Sequence, residues 1–177
     1  MVAVVFDSST LILLARAELL DAFLEDYQGP VLIPAAVEAE CVGWVSYPGA
    51  VLIRERIRVR RIRVRKVRKM KAIQKLMADF QLGRGEAEAL VLAQTERAEL
   101  VASDDRNAIR ACKLLRLPFT TAMAFLLRAA AKGLMTPEAV RASFRRLATF
   151  GRYKAAIVED VERRLGELRH GKNTKNA

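Results

Sequence analysis

The sequence has few residues from which a thiol, imidazole or zinc site could be built. It contains two cysteines, Cys41 and Cys112, without the close spacing of metal-binding or redox motifs, and one histidine, His170. These are too few for a Cys/His zinc site, and Ser8 and Ser9 have no histidine partner for a serine triad. We interpret both thiols as small buried hydrophobes, which suits a reducing, cytoplasmic environment.

Patterns typical of targeting and membrane insertion are also missing. No basic residues precede the first apolar run, and Asp7 interrupts it, so we expect no signal peptide. The longest later apolar run, 119–135, carries Arg128 and Lys132, and it is too short and too charged to cross a membrane. The glycine pair at 83–85 has neither a Walker lysine nor the dinucleotide-binding spacing.

The composition predicts one folded domain. With 177 residues, 52% of them hydrophobic, the chain is long enough for one core and short for two. We assign residues 1–170 to this domain and expect the polar residues 171–177 to be disordered.

Short apolar runs alternate with helical stretches along the chain. Four runs have the length of strands buried on both faces: 2–6, 31–33, 100–102 and 117–120. Three further helices are predicted to follow: 122–132, 137–149 and 152–168. Loops are predicted at 47–49 and 82–85, with a helix starting at Glu86. Strands that alternate with helices predict an α/β fold with a parallel sheet.

The whole excess positive charge lies in one piece, the basic segment from Arg54 to Lys75. It holds twelve of the 31 Lys and Arg residues and one of the 20 acids, so the remaining 19 basic and 19 acidic residues balance. Residues 57–60 and 62–65 alternate apolar and arginine, which predicts strands separated by a bulge at Arg60-Arg61. We therefore expect a basic, extended insertion with one arginine-lined face.

Such a dense basic surface favours RNA, or another nucleic acid, as a partner. The predicted contacts are Arg54, Arg56, Arg58, Arg60, Arg61, Arg63, Arg65, Lys66, Arg68, Lys69 and Lys71. No aromatic residue lies between positions 54 and 79, so binding should depend on phosphates and show little base preference. Two alternatives stay open: an acidic partner, or a strand edge that its charge protects against aggregation.

Acidic residues recur where predicted strands or loops give way to helices. They are Asp7, Glu40, the pair Glu86 and Glu88, and the pair Asp104 and Asp105. In a parallel sheet these positions lie at one end, where the carboxylates can converge and repel unless a cation neutralises them. Oxygen ligands alone indicate Mg²⁺ or Mn²⁺, which can activate water against a phosphodiester. Each acid also has a simpler interpretation, as a helix cap, a helix-dipole charge or solvated surface.

Four motifs occur in the order found in PIN domains, and the chain resembles that family. They are Val-Val-Phe-Asp-Ser-Ser at 4–9, Ile-Pro-x-x-Val-x-x-Glu at 33–40, Gly-Arg-Gly-Glu-Ala-Glu-Ala-Leu at 83–90 and Val-Ala-Ser-Asp-Asp-Arg at 101–106. The resemblance covers residues 1 to about 125 best, and it is nearest to a subfamily with a Gly-Glu-Ala-Glu-Ala motif and extra C-terminal helices. It implies a three-layer α/β/α sandwich and the metal-dependent ribonuclease activity of VapC-type toxins.

The resemblance also implies roles for the acids. The expected metal-binding and catalytic residues, in chain order, are Asp7, Glu40, Glu88 and Asp104, with Ser9 as the hydroxyl neighbour of Asp7. Glu86 and Asp105 are the alternatives for the third and fourth ligands. A toxin of this type would have a small antitoxin protein as its partner, and a homodimer is a further candidate assembly.

Three functions are therefore compared. The first is a Mg²⁺- or Mn²⁺-dependent endoribonuclease, as an enzyme on its own or as the toxin of a toxin–antitoxin pair. The second is a PIN-like module that binds nucleic acid with little or no cleavage, because the chain has Glu where many such toxins have Asp. The third is an interaction protein whose basic segment docks an acidic partner.

Overall fold

The computed structural model describes residues 2–43 and 48–173 of the chain. Within these ranges it has five strands: β1 (Val4–Phe6), β2 (Val31–Pro34), β3 (Ile62–Arg65), β4 (Leu100–Ala102) and β5 (Phe119–Thr120). The same ranges hold ten helices: α1 (Ser8–Arg16), α2 (Leu20–Asp26), α3 (Ala35–Val42), α4 (Pro48–Arg58), α5 (Met70–Phe80), α6 (Arg84–Glu96), α7 (Arg106–Leu114), α8 (Ala122–Lys132), α9 (Pro137–Phe150) and α10 (Ala155–Asn173). The four strands predicted from apolar runs are confirmed to within two residues at each end.

The five strands form one parallel sheet in the order β3-β2-β1-β4-β5. In the central strand, Val4 is in register with Val31 of β2 and with Leu100 of β4. Because the strands run in one direction, all their carboxyl ends lie at one edge, which we call the carboxyl edge, opposite the amino edge. The residues that directly follow the strands there are Asp7, Ala35, Lys66, Ser103 and Thr121.

Both faces of the sheet are covered by helices. Val4, Phe6 and Ile33 contribute to a core shared with α1, α2, α4 and the C-terminal helices. Val5, Leu32 and Val101 point the opposite way, into a core formed with α5, α6 and α7. This explains why the strands appear in the sequence as continuous apolar runs rather than as alternating patterns. The predicted three-layer α/β/α architecture is confirmed.

The C-terminal helical section is also confirmed, since α8, α9 and α10 match the three helices predicted after residue 121. Thr121 and Thr136 cap α8 and α9 through side-chain hydrogen bonds to the backbone N–H three residues later. α10 continues to Asn173, three residues into the tail predicted to be disordered, and the rest of that tail lies outside the described residues. None of the helices in the described part of the chain has the length and apolar character needed to cross a membrane.

The basic segment is not the extended insertion that its alternating pattern predicts. Its first part belongs to α4, where Ala50 and Ile53 are buried and Ile57 is half-buried, a spacing of three and four residues that fits a helix face. Val59, which alternation would place on the apolar face opposite the arginines, is 46% exposed. The apolar residues at 57–60 fit both the alternation of a strand and the continuation of a helix face. Packing of that helix face against the core decides for the helix.

The predicted bulge at Arg60-Arg61 is the end of α4. The N–H of Arg61 donates to the carbonyl of Arg56 at 2.9 Å, and the N–H of Arg60 donates to that of Ile57 at 3.0 Å. Arg60 has a φ of 59°, so this is a Schellman cap with arginine at the left-handed position that glycine usually takes. Only 62–65 is extended, and it forms the edge strand β3, with Ile62 buried.

Two predicted loops are shorter than expected. At 47–49, α4 already begins at Pro48, whereas Tyr47 lies outside the described residues. At 82–85, α6 begins at Arg84 with Gly83 as its N-cap, so Gly85 is in the first turn of the helix rather than in a loop. The glycines of this stretch predicted a turn. Gly85 instead allows a neighbouring side chain to pack closely against α6, as described in the next subsection.

Candidate functional site

Asp7 lies at the centre of the carboxyl edge, where β1 gives way to α1. Its Oδ1 accepts hydrogen bonds from the Ser9 hydroxyl at 2.8 Å and from the backbone N–H of Thr10 at 3.0 Å. Its Oδ2 accepts a hydrogen bond from the hydroxyl of Ser103, which follows β4. Asp7 is therefore the N-cap of α1, as its simpler interpretation predicted, and it is also a carboxylate only 1% exposed.

Burial shifts the ionisation of this group. The pKa of Asp7 is about 7, against an ordinary value of 3.8, because burial raises it more than the hydrogen bonds from Ser103, Thr10 and Ser9 lower it. The charge of Asp104 raises the pKa further. Asp7 is thus a site where a nearby positive charge would be stabilising.

Asp104, next to Ser103, forms the second half of the same network. Its Oδ2 accepts hydrogen bonds from the Thr10 hydroxyl at 2.6 Å and from the N–H of Ala122 at 2.9 Å. Its Oδ1 accepts one from the Tyr153 hydroxyl at 2.6 Å. The two aspartates and the side chains that join them are called the Asp7–Asp104 network below.

The neighbouring Asp105 has a different task. Its Oδ1 accepts hydrogen bonds from the N–H groups of Asn107 and Ala108, at 2.9 and 2.8 Å, and so caps α7. Of the two aspartates left open as a fourth ligand, Asp104 is the one joined to Asp7.

The glutamates meet around Gly85 on α6. A Cβ at position 85 would lie 2.6 and 2.8 Å from the two carboxylate oxygens of Glu40, so only glycine allows Glu40 of α3 to approach this closely. Glu86 is half-buried, and its carboxylate turns back to accept from the backbone of Gly83 at the helix start. Burial raises the pKa of Glu86, and the charges of Glu40 and Asp105 raise it further.

Glu88, the preferred third ligand, is 3% exposed and already has a positive partner. Its Oε1 lies 2.8 Å from Nε of Arg84, one helical turn earlier, and Arg84 is largely exposed. Glu40, Glu88 and Arg84 line one cleft together with Lys66 and Arg68, which follow β3 at the same edge. The cleft therefore presents carboxylates and cations side by side.

The acids have the chemistry of a divalent-cation site, although those in the described part of the chain are not gathered into one cluster. Among the described residues, no three His, Cys, Asp or Glu side chains are close enough together to hold an ion. Asp7 and Asp104 are joined by hydrogen bonds through Ser9, and the charges of Glu40 and Asp105 act on Glu86. All of these acids offer the oxygen ligands that Mg²⁺ and Mn²⁺ prefer, and burial, which raises the pKa of Asp7 and of Glu86, makes their charged forms costly unless a cation neutralises them. The donor chemistry fits such an ion.

The basic segment divides into residues with internal partners and exposed residues. Arg56 makes two hydrogen bonds to Asp21, at 2.7 and 2.8 Å, and Arg58 makes two to Glu55, at 2.8 and 2.6 Å. Arg54 donates to the carbonyl of Val42 and Arg61 to that of Leu24. Arg54, Arg58 and Arg61 are exposed despite these bonds, and the other exposed cations of residues 54–71 are Arg60, Arg63, Arg65, Lys66, Arg68, Lys69 and Lys71.

The segment also does not form one surface. Arg60, Arg61 and Arg63 line a groove with the residues that lead into β2, at the amino edge of the sheet. Lys66 and Arg68 lie at the carboxyl edge, in the cleft with Glu40 and Glu88. The four residues of β3 lie between these two ends of the segment and span about 13 Å.

Sequence reasoning missed three side chains of the Asp7–Asp104 network. Thr10 and Ser103 each lie within three residues of a predicted acid, and that proximity was a usable signal. Tyr153 lies 49 residues from Asp104, between α9 and α10, and no local pattern marks it. Burial raises the pKa of Tyr153, and its contact with Asp104 raises it further, so the phenol keeps its proton and remains the donor.

Comparison with known proteins agrees with this geometry. A family model described as a PIN domain matches residues 3–167. No curated protein matches the chain significantly. The matched range contains all five strands, the six acids and Tyr153, and it extends well past residue 125, so α8, α9 and most of α10 belong to the matched domain.

Proposed function

The chain belongs to the PIN-domain family, and from this premise we propose that it is a divalent-metal-dependent endoribonuclease that hydrolyses RNA phosphodiesters. One observation carries the proposal. The buried Asp7 and its partner Asp104 follow two adjacent central strands, at the same edge of the sheet as the cleft where Glu40 and Glu88 meet exposed cations.

The residues that would hold the ion are Asp7, Glu40, Glu88 and Asp104, with Glu86 and Asp105 as the alternatives for the third and fourth positions. When bound, Mg²⁺ or Mn²⁺ supplies activated water and neutralises charge on the phosphate. The chain's own contribution is orientation. Ser9, Thr10 and Ser103 fix both oxygens of Asp7, so its carboxylate is already placed and need not reorganise on binding.

The cations of the cleft would bind the substrate. Lys66, Arg68 and Arg84 lie beside the acids, where they can contact the phosphates that flank a cleaved bond. No aromatic side chain accompanies them in the basic segment, so we expect little base preference. We propose RNA rather than DNA as the substrate, because the family resemblance implies ribonuclease activity.

A toxin role is the finer form of this proposal. Resemblance to VapC-type toxins supports it, and a small antitoxin protein would then be the partner. A small open reading frame immediately beside the gene would support this role, and its absence would count against it. We place the protein in the cytoplasm, because its two cysteines are buried and free. A homodimer remains a candidate assembly, which light scattering on the purified chain can test.

The second candidate is a nucleic-acid-binding module with little cleavage. The observation that favours it is the ion pair between Arg84 and Glu88, because a guanidinium there already neutralises the acid that a metal would use. In addition, no three acids of the described residues form one cluster that could hold an ion.

One experiment separates the two candidates. A mixed RNA pool is incubated with the protein in Mn²⁺ or Mg²⁺ and in EDTA, and cleavage and binding are both measured. The nuclease proposal expects metal-dependent cleavage that Asp7→Asn abolishes while RNA affinity survives. Asp26→Asn is the matched control, because Asp26 is a paired carboxylate on α2, which leads to the amino edge. If the wild-type chain binds RNA but does not cleave it, the result favours the nucleic-acid-binding module.

A further inference from the structure

Tyr153 reaches the candidate site from the C-terminal part of the chain. It lies in the short connection between α9 and α10, and its hydroxyl donates to Oδ1 of Asp104 at 2.6 Å. The ring is held in place, because it packs against the core that the sheet shares with α1, α2, α4 and the C-terminal helices, and it lies against Gly151. A Cβ at position 151 would come within 2.1 and 2.5 Å of ring atoms, so glycine leaves the space that the ring occupies.

The two oxygens of Asp104 are used unequally. Oδ2 accepts hydrogen bonds from the Thr10 hydroxyl and the Ala122 N–H, which together occupy the two acceptor positions of that oxygen. Oδ1 accepts only from Tyr153 in the described residues, and so it retains one acceptor position. If Asp104 binds an ion, Oδ1 is the available oxygen, and Tyr153 sets the direction of its remaining lone pair.

We propose that Tyr153 is a positioning residue, which holds Oδ1 of Asp104 in the orientation that binds the divalent cation. The inference rests on the proposed function. The inference adds that the C-terminal part of the chain contributes to the site through Tyr153, a side chain that lies outside the sheet. Carboxylates that bind metals are commonly held by such outer hydrogen bonds, and loss of one typically costs 10- to 100-fold in metal affinity.

Two other roles for the phenol make different predictions. A purely structural tyrosine would affect the stability of the metal-free fold but not the affinity for a cation. A blocking tyrosine would compete with the cation for Oδ1, so its removal would increase the affinity. A positioning tyrosine is the one case in which removal of the hydroxyl weakens cation binding.

The test uses the full chain with Tyr153→Phe, which removes the hydroxyl and keeps the ring. Mn²⁺ affinity is measured by the electron paramagnetic resonance signal of free Mn²⁺, and melting is measured in EDTA. Tyr27→Phe is the matched control, since the Tyr27 hydroxyl donates to the backbone carbonyl of Val2 at 2.6 Å, outside the Asp7–Asp104 network. We expect a roughly tenfold weaker Mn²⁺ affinity in Tyr153→Phe and an unchanged affinity in Tyr27→Phe.

The outcomes distinguish this inference from the proposed function. If the wild-type chain does not bind Mn²⁺, the proposed function fails, and this inference fails with it. If the wild type binds Mn²⁺ and Tyr153→Phe binds it equally well or more tightly, only the inference is overturned. Should Tyr153→Phe not fold, Gly151→Ala displaces the ring instead, and the same loss of affinity is expected. Unchanged affinity in that variant would overturn the inference.

Discussion

Ser9 and Asp104 are in direct contact: the backbone N–H of Asp104 donates to the Ser9 hydroxyl oxygen at 3.1 Å, while that hydroxyl donates to Asp7 at 2.8 Å. One side chain thus joins the ends of β1 and β4. The link keeps two carboxylates near each other despite their repulsion. When no cation is bound, this repulsion lowers the stability of the fold. A ligand that removes the repulsion should therefore bind here and stabilise the protein.

Divalent metal should raise the stability of the wild-type chain. A ligand that binds only the folded state adds about 2.7 kcal/mol at a hundredfold excess over its dissociation constant. Thermal melts in millimolar Mn²⁺ or Mg²⁺ and in EDTA should therefore differ. The difference should vanish in Asp7→Asn/Asp104→Asn and persist in Asp26→Asn. Identical wild-type melts with and without metal would argue strongly against a metal site.

Without metal, stability should fall as the pH rises from about 4 to about 7. Asp7 has a pKa of about 7 in the folded chain and 3.8 as an ordinary aspartate, so the folded state holds the proton more tightly between these values. The free energy of unfolding should decrease there by at most about 1.4 kcal/mol per pH unit from this group. Glu86, whose pKa is also raised, acts in the same direction.

Urea unfolding in EDTA at several pH values measures this dependence. Asp7→Asn should show a clearly shallower decline than the wild type, with a remainder from Glu86. The comparison concerns the slope, because Asn can also change the absolute stability through its altered hydrogen bonds. Equal slopes in the two proteins would mean that Asp7 does not carry the proton.

Most of the sheet and the place of the acids were predictable from local sequence. Buried parallel strands are short apolar runs, and an acid one or two residues after such a run, as at Asp7 and Asp104, must lie at the carboxyl edge. The structure of the basic segment was not predictable in this way. The residues Ile57-Arg58-Val59-Arg60 fit the period of a strand and also that of a helix, and only the packing of Ala50 and Ile53 decides for the helix. The contact of Tyr153 with Asp104 depends on how α8 and α9 fold back, which no local pattern encodes.

Arg56 should act in folding rather than in binding. It joins α4 to α2 through Asp21 in a two-hydrogen-bond ion pair, which also lowers the pKa of Asp21. The pair is partly exposed, so Arg56→Gln should cost about 0.2–1 kcal/mol in urea unfolding. RNA affinity and its salt dependence should not change. A weaker affinity in a folded Arg56→Gln chain would show that this guanidinium contacts nucleic acid after all.

RNA binding should depend on the carboxyl-edge cations more than on those at the amino edge. Each phosphate contact to a single strand contributes about 0.7 to the slope of log affinity against log salt. Lys66→Gln/Arg68→Gln should therefore flatten the slope by about 1.4, equally on unrelated RNA sequences. Arg60→Gln/Arg63→Gln removes the same charge from the groove at the amino edge and should leave the slope nearly unchanged. Glutamine keeps part of the aliphatic packing that alanine would lose.

Equal flattening of the salt slope by both pairs of substitutions would support the single continuous basic surface predicted from sequence. Unchanged slopes in both would reject the nucleic-acid role of the basic segment and favour an acidic partner.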